Sequence, residues 1–185
     1  MEERKMKATG VVRRMDDLGR IVIPKEIRRT LMIREGDSME IFIGSGGEIL
    51  LKKYSTLGPM TRFAEIFAKV LATQTGKTAM VVDLEKVLTV AGEKRAAFAE
   101  VLLSERMKGL MEEHRMFVTH MGEKMFAPNV EKRIGAFAIM SGVITISGDA
   151  VGAVVLCARE KEEFDEVDKA LVQSGCKLLA EQLEV

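Results

Sequence analysis

Short runs in which apolar and polar residues alternate cover most of the first 54 residues and predict β-strands. These runs lie at 6–15, 20–23, 39–43 and 48–54. Turn residues separate the first pair of runs at 16–19 and the second pair at 44–47. Pro24, a residue that the first turn of a helix tolerates, opens a short helix that is predicted to run to about Met32. The front of the chain is therefore predicted to hold four short strands and one helix.

A unit of this size is small for an independent fold. A segment of about 50 residues removes too little surface from water to be comfortably stable, and its short strands leave unpaired edges. Both problems disappear if two copies interleave into one barrel. The size of the front segment therefore predicts an obligate dimer.

After Gly58 and Pro59 the pattern changes. Stretches in which apolar residues recur with helical spacing are mixed with runs in which apolar and polar residues alternate. Helices are predicted at 60–73, 98–113 and 163–183. Strands are predicted at 78–83, 87–91, 116–120, 136–140, 142–146 and 151–158. This order predicts an α+β fold, in which an antiparallel sheet carries the first and last helices on one face. The chain is thus predicted to divide into a front domain at 1–54, a linker helix at 55–75 and a back domain at 76–185.

Charge is distributed unevenly, although the whole chain has 28 basic and 28 acidic residues. The first 34 residues hold ten Lys and Arg against five Asp and Glu, which leaves 18 against 23 for the rest. A basic front and an acidic back are typical of a nucleic-acid module joined to another domain.

The basic residues of the front segment concentrate around the predicted turn and helix. Lys25, Arg28 and Arg29 fall at i, i+3 and i+4, which puts three cations on one face of the helix. Three more flank the turn, and these are Arg13, Arg14 and Arg20. A guanidinium is permanently charged, and its planar donors suit phosphate oxygens and guanine edges. We therefore predict a DNA-binding surface at these six residues.

Residues 9–43 read T-G-V-V-R-R-M-D-D-L-G-R-I-V-I-P-K-E-I-R-R-T-L-M-I-R-E-G-D-S-M-E-I-F-I, and E-I-L-L-K-K-Y follows at 48–54. This stretch resembles the AbrB-type swapped-hairpin DNA-binding domain, in which two chains exchange hairpins to form one barrel. The resemblance implies DNA contacts by the residues that match the family's arginines, which are Arg13, Arg20, Arg28 and Arg29. Arg14 occupies a position that the family also fills with a base, whereas Lys25 adds a cation where the family usually varies.

Pairing of two chains would present about eight such arginines. Phosphate contacts in that number would make the DNA affinity depend steeply on salt concentration. The front segment offers no recognition helix with Asn or Gln aimed at bases, so much of the specificity is expected to come from DNA shape and flexibility. The alternative is a solvated face in which these arginines pair with Asp16, Asp17 and Glu26.

The back domain has a second resemblance. Residues 134–156 read I-G-A-F-A-I-M-S-G-V-I-T-I-S-G-D-A-V-G-A-V-V-L, and F-D-E-V-D-K-A-L follows at 164–171. This stretch resembles the last strands and helix of the GAF sensor fold. An AbrB-type front joined to a GAF-like back resembles a family of regulators of the developing forespore in endospore-forming bacteria, which activate some promoters and repress others. Paired GAF-like domains would also allow two dimers to join into a tetramer.

Several methionines cluster around the predicted sensor pocket, and these are Met107, Met111, Met116, Met121, Met125 and Met140. They are consistent with plain core filling or with an adaptable apolar pocket for a small ligand. The NKxxxE-type signature of cyclic-nucleotide GAF domains is absent from the sequence, so the pattern names no ligand.

Other candidate chemistry is weak. His114 and His120 are six residues apart, which matches neither a helical ligand pair nor a zinc-finger spacing. Cys157 and Cys176 fall in predicted buried elements, where a thiol usually fills the core. We therefore expect no metal, no cofactor and no enzymatic activity.

Two rival functions remain open at this level. The first is an antitoxin that uses the same barrel to neutralise a toxin, although such antitoxins end in a short acidic tail and about 130 patterned residues follow the barrel here. The second is an enzyme housed in the back domain, for which no nucleophile, acid–base pair or metal cluster is visible. Because neither a signal peptide nor a membrane-spanning run is recognisable, we expect a cytoplasmic protein with reduced thiols and no membrane partner.

Overall fold

The computed structural model describes residues 9–31, 33–92, 98, 101–120, 125, 136–159 and 162–183. The chain separates into two compact units, the first at Met1–Tyr54 and the second at Ser55–Val185. Each unit has its own sheet, and each is built differently.

The described residues of the first unit form one short helix and one hairpin. Helix α1 spans Lys25–Thr30, strand β1 spans Met39–Ile43 and strand β2 spans Ile49–Lys53. The two strands pair antiparallel, from Met39 opposite Lys53 to Ile43 opposite Ile49. Gly47 takes a φ of 85° in the connecting turn, a conformation that costs glycine little. This turn is the hairpin loop expected at 44–47.

The expectation of strands at 6–15 and 20–23 is wrong for a single chain. Residues 6–8 lie outside the described part, and residues 9–23 form no strand. Two backbone hydrogen bonds of 3.1 Å close their turn, from the Asp16 N–H to the Arg20 carbonyl oxygen and from the Gly19 N–H to the Asp16 carbonyl oxygen. A strand needs a neighbour that supplies a ladder of hydrogen bonds, and the first unit of one chain does not provide it here. The helix also ends earlier than expected, at Thr30, and Met32 lies outside the described residues.

None of the described residues of the first unit is buried. Large apolar side chains are open to solvent, with Val12 exposed by 84% and Ile43 by 83%. A unit of this kind has secondary structure without a hydrophobic core, and apolar burial is the main favourable term in folding.

The second unit is built on a five-stranded antiparallel sheet. Its strands are β3 (Thr78–Val82), β4 (Val87–Ala91), β5 (Phe117–His120), β6 (Ala136–Ile146) and β7 (Asp149–Arg159). They lie side by side in the order β4-β3-β7-β6-β5. The described residues of this unit also form three α-helices, α2 (Thr61–Thr75), α3 (Glu105–Glu112) and α4 (Glu166–Leu183). A single 3-10 turn at Gly58–Met60 precedes α2.

Two sequence-based boundaries are corrected in this unit. The runs at 136–140 and 142–146 form one strand, β6, because Gly142 continues the pairing with β7 opposite Val154. Helix α3 begins at Glu105 rather than near Phe98, because the Ser104 hydroxyl accepts a hydrogen bond from the Met107 N–H and so caps the helix there.

The sheet separates two hydrophobic cores. On the side of α3, which we call the α3 face, the core includes Met80, Phe98, Met107, Met111 and Met125. On the opposite side, the helix-pair face, α2 and α4 pack over the sheet around Leu57, Leu71, Val172 and Leu179. This arrangement matches the expectation that the first and last helices lie together on one face.

Glycines allow α4 to approach its neighbours closely. A Cβ atom added to Gly175 would lie 2.1 Å from the Cζ atom of Phe67 on α2. A Cβ atom added to Gly142 of β6 would lie 2.8 Å from both the Cys176 thiol and a Val172 methyl group. Side chains larger than hydrogen at these two positions would therefore push α4 away from α2 and from the sheet.

Candidate nucleic-acid interface

All six predicted DNA-binding side chains are exposed. Helix α1 starts directly after Pro24, and the Arg28 N–H donates to the Pro24 carbonyl oxygen at 3.0 Å. This helix turns Ile27 partly inward and leaves Lys25, Arg28 and Arg29 exposed, as the spacing predicts. The second set, Arg13, Arg14 and Arg20, lies in the extended segment before the helix and is exposed as well.

Asp16 organises the turn that carries Arg20. Its Oδ1 atom accepts hydrogen bonds from the backbone N–H groups of Leu18 at 3.1 Å and Arg20 at 2.7 Å. Its Oδ2 atom accepts from the Arg20 Nε atom at 2.7 Å. The N–H of Arg20, followed by its guanidinium, holds the pKa of the Asp16 carboxyl below its ordinary value. Gly19 completes the turn with a φ of 74°.

The other cations have few partners. Arg13 donates from its Nη1 atom to the Val12 carbonyl oxygen at 3.0 Å. Among the described residues, Arg14, Lys25, Arg28 and Arg29 form no ion pair. The alternative of a face neutralised by Asp16, Asp17 and Glu26 therefore applies to Arg20 alone, within the part of the chain that the structure describes.

A second carboxylate stabilises the base of the hairpin. Asp37 accepts from the Arg34 N–H at 2.7 Å and pairs with the Lys53 ammonium at 2.9 Å. Partial burial acts to raise the pKa of the Asp37 carboxyl, but the contacts with Arg34 and Lys53 outweigh it, so this pKa lies below its ordinary value. These contacts link the residues after α1 to the end of β2.

The histidines do not come together in a metal site. In the described part of the chain, clefts of about 580 and 480 Å³ lie along α4, the larger beside β5 and β6 and the smaller beside β6. His120 lines the larger cleft and His114 the smaller one. Within the described ranges, no three His, Cys, Asp or Glu side chains are placed to hold a metal ion.

The methionines divide between the two faces of the sheet. Met107, Met111 and Met125 are fully buried in the α3-face core. Met116 and Met140 lie on the helix-pair face, and Met121 is outside the described residues. The described methionines of this set therefore divide between the α3-face core and the helix-pair face, where Met116 and Met140 also line the larger cleft.

Ser141 is a candidate functional residue that the sequence analysis missed. Its hydroxyl is completely buried and has no hydrogen-bond partner among the described residues. It lies on β6 directly opposite Phe117 of β5 and Val155 of β7, which both belong to the α3-face cluster. A polar residue within the apolar run 136–146 is the sequence signal that could have identified it.

The two cysteines behave as core residues. Both are buried with free thiols. Burial raises the pKa of the Cys176 thiol to about 12, so this group is a neutral thiol at physiological pH. A nucleophilic cysteine would need the opposite shift. None of the helices in the described ranges is long and apolar enough to cross a membrane.

Both units have counterparts among known proteins. Residues 59–184 match the family model described as "Stage V sporulation protein T C-terminal, transcription factor". Residues 12–58 match the model described as "Antidote-toxin recognition MazE, bacterial antitoxin". The transition state regulatory protein AbrB of Bacillus subtilis is 57% identical to this chain over 49 residues, which cover 26% of this chain and 50% of AbrB.

The second unit also resembles solved GAF structures. The GAF domain/HD domain protein from Geobacter sulfurreducens gives a TM-score of 0.55 at 12% identity, covering 67% of this chain and 91% of that chain. The PixJ GAF domain of Thermosynechococcus elongatus gives 0.52 at 10% identity, covering 70% and 90%. At such low identity the likeness concerns the fold alone, and it confirms the expected GAF-like architecture.

One relative matches both units together. Stage V sporulation protein T of Bacillus subtilis is 36% identical over 180 residues, which cover 97% of this chain and 99% of that protein. With its AbrB-like first unit and GAF-like second unit, the chain belongs to the stage V sporulation protein T family.

Proposed function

We propose that this protein is a transcription regulator that binds double-stranded DNA through the exposed cations of its first unit. The observation that carries the proposal is the cluster formed by Arg13, Arg14, Arg20, Lys25, Arg28 and Arg29, all exposed and mostly without ion-pair partners. The identity of 57% with AbrB over 49 residues supports the same assignment. Phosphate contacts from these side chains supply affinity, and the shape of the duplex contributes specificity.

The protein acts as an oligomer in this proposal. Two first units share their apolar side chains in one interleaved barrel, since one copy buries none of its described residues. A second contact surface is available on the helix pair, where α2 exposes Ile66 and Val70 and α4 exposes Val167 and Leu178. Joining two dimers through such surfaces gives a tetramer. An interface made of apolar side chains resembles the core of a domain cut in half.

The second unit senses a signal or fixes the oligomeric state. For a small ligand, the α3 face is the favoured side, because the Ser141 hydroxyl is buried there without a partner and methionines surround the core. An apolar molecule with one hydrogen-bonding group would satisfy that hydroxyl. Methionine side chains adapt readily to such an occupant.

We infer the biological setting from the relative in Bacillus subtilis, stage V sporulation protein T. A member of the family of stage V sporulation protein T is inferred to act in the cytoplasm of the forespore, where it activates some sporulation promoters and represses others. We infer a regulator rather than an enzyme, in line with the transcription-factor description of the matching family.

The test is fluorescence anisotropy of the full chain on A·T-rich duplexes over a salt series. We expect tight binding with a steep salt slope, and a loss of about 100-fold or more in affinity for Arg28→Ala/Arg29→Ala in a dimer, where four charges are removed. The matched control is Arg62→Ala/Lys69→Ala, which removes two exposed charges from α2 of the second unit. Equal affinities for the two double variants would overturn the proposed DNA surface.

An antitoxin is the second candidate, favoured by the match of residues 12–58 to the MazE model. The folded second unit argues for the regulator, because antitoxins of this type use a short tail that folds on the toxin. Absence of DNA binding at low salt by a folded oligomer would place the antitoxin reading first.

A further inference from the structure

The carboxylate of Asp83 connects two distant segments of the second unit. Asp83 follows β3 and is 6% exposed. Its Oδ1 atom accepts the backbone N–H groups of Glu85 and Lys86, both at 2.7 Å. Its Oδ2 atom accepts the hydroxyl of Ser55 at 3.0 Å. One side chain therefore holds both the turn between β3 and β4 and the first residue of the second unit.

Ser55 begins a docked turn rather than a free linker. It directly follows Tyr54, the last residue of the first unit. Its carbonyl oxygen accepts the Gly58 N–H at 2.9 Å. Leu57 is completely buried, and a Cβ atom on Gly152 of β7 would lie 2.3 Å from its Cδ1 atom. The position at which the chain enters the second unit is thus fixed by one hydrogen bond and one buried side chain.

The turn between β3 and β4, which the Asp83 carboxylate holds, is also bonded to the α3 region. The Glu85 carboxylate pairs with the Lys108 ammonium of α3 at 2.9 Å. The Glu85 carbonyl oxygen accepts the Leu103 N–H at 2.8 Å, and Lys86 bridges to Leu102. A displacement of α3 must therefore move the turn or break these contacts.

We propose that Asp83 is a positioning residue that couples α3 to Ser55, where the chain leaves the DNA-binding unit. The route consists of Lys108, Glu85, Asp83 and Ser55, joined by contacts of 2.9, 2.7 and 3.0 Å. In this proposal the route has a second state, in which the Ser55 hydroxyl no longer bonds to Asp83. A buried carboxylate oxygen that loses its donor is costly, so the turn and Ser55 tend to move together. The regulatory use of this route rests on the proposed function, but the coupling itself does not.

Hydrogen exchange of the full chain measures the coupling directly. The readout is amide exchange over residues 55–60 in the wild type, Ser55→Ala, Lys108→Met and the double variant. We expect the amides of residues 55–60 to exchange about fivefold faster in Ser55→Ala, because this variant loses one part-buried hydrogen bond. We expect Lys108→Met, which keeps the apolar stem of the lysine, to raise exchange at the same segment, although Lys108 does not contact Ser55 through any described bond. The double variant should not exceed Ser55→Ala, since both act on one route.

The control is Lys177→Met, an exposed lysine of α4, which should leave residues 55–60 at the wild-type rate. If Lys108→Met does not fold, Glu85→Gln replaces it. The proposal would be overturned if Lys108→Met, or Glu85→Gln in its place, exchanged residues 55–60 at the wild-type rate. It would also be overturned if the effects of the two substitutions multiplied in the double variant. Coupled exchange in a protein that fails to bind DNA would support the route and reject the proposed function.

Discussion

Asp16 sets the direction of one of the cations in the first unit. It accepts two backbone N–H groups and the Arg20 guanidinium within a single turn. Because its pKa is lowered in the folded chain, the carboxylate is charged throughout the neutral range. On the proposed DNA surface we expect two opposite effects of this residue, because its geometry orders Arg20 while its charge repels phosphate.

The two effects can be separated with two substitutions. Asp16→Asn keeps the acceptor oxygen for the backbone but removes the negative charge, so we expect equal or slightly tighter DNA binding. Asp16→Ala removes the acceptor as well, and we expect affinity to fall by about three- to tenfold as the turn and Arg20 are released. Anisotropy on one duplex at one salt concentration measures both. Weaker DNA binding by Asp16→Asn than by Asp16→Ala would show that the turn geometry is unimportant.

Residues with local roles were accessible from the sequence, and residues with tertiary roles were not. Spacing after Pro24 predicted exposed Lys25, Arg28 and Arg29, and they are exposed. Thr30 and Leu31 are exposed as well, so one chain shows no buried side of α1. Ser141 and Asp83 escaped prediction because their surroundings come from strands that are distant in the chain. A hydroxyl or carboxylate in an apolar run does not by itself indicate which neighbours will meet it.

The contact between α2 and α4 depends on a single missing side chain. Gly175 lies under the Phe67 ring, and the small residue lets the two helices approach over the helix-pair core. The helix interior is normally an unfavourable place for glycine. Its use here indicates that close packing outweighs helix propensity.

Gly175→Ala should destabilise the protein by ~1–3 kcal/mol, because the added methyl overlaps the Phe67 ring. Adding Phe67→Leu should recover part of that loss by making room. The matched control is Gly109→Ala in α3, where no atom lies within 4 Å of the added Cβ, and which should stabilise the helix by up to ~1 kcal/mol. Urea unfolding measures all three, and a stabilising Gly175→Ala would contradict the packing.

At the level of elements, periodicity located the helices and most strands of the second unit. It misplaced boundaries where a specific contact overrides the pattern. Gly142 suggested a break, but its pairing with Val154 of β7 keeps it inside β6. The start of α3 is set by the Ser104 cap, and the preceding residues instead bond to the turn after β3.

The two units differ in how they are stabilised. The second unit has a core on each side of its sheet, whereas the described residues of the first unit bury nothing. The α+β class was predictable from the order of elements, and the GAF-like second unit from the resemblance of residues 134–156 and 164–171 to that fold. The absence of strands at 9–23 in one chain was not predictable, because an alternating pattern marks residues suited to a strand but does not show whether one chain supplies the pairing partner.

Sedimentation should show that the full chain associates at micromolar concentration. Val12→Asp/Ile43→Asp places charges at two positions that are exposed in one chain, so a monomer would tolerate the change. If these side chains are buried by pairing, the variant should dissociate and its first unit should become sensitive to protease. The control Val70→Asp on α2 should at most reduce a tetramer to a dimer. A monomeric wild type would contradict the proposed barrel.

The raised pKa of the Cys176 thiol makes this sulfur a poor nucleophile towards oxidants. Peroxides and disulfides react with the thiolate, and a thiol with a pKa of about 12 is almost entirely protonated in the cell. Because this sulfur fills the space between α4 and Gly142, its oxidation would force the helix off the sheet. The same burial that makes the contact sensitive to size therefore shields it from redox stress.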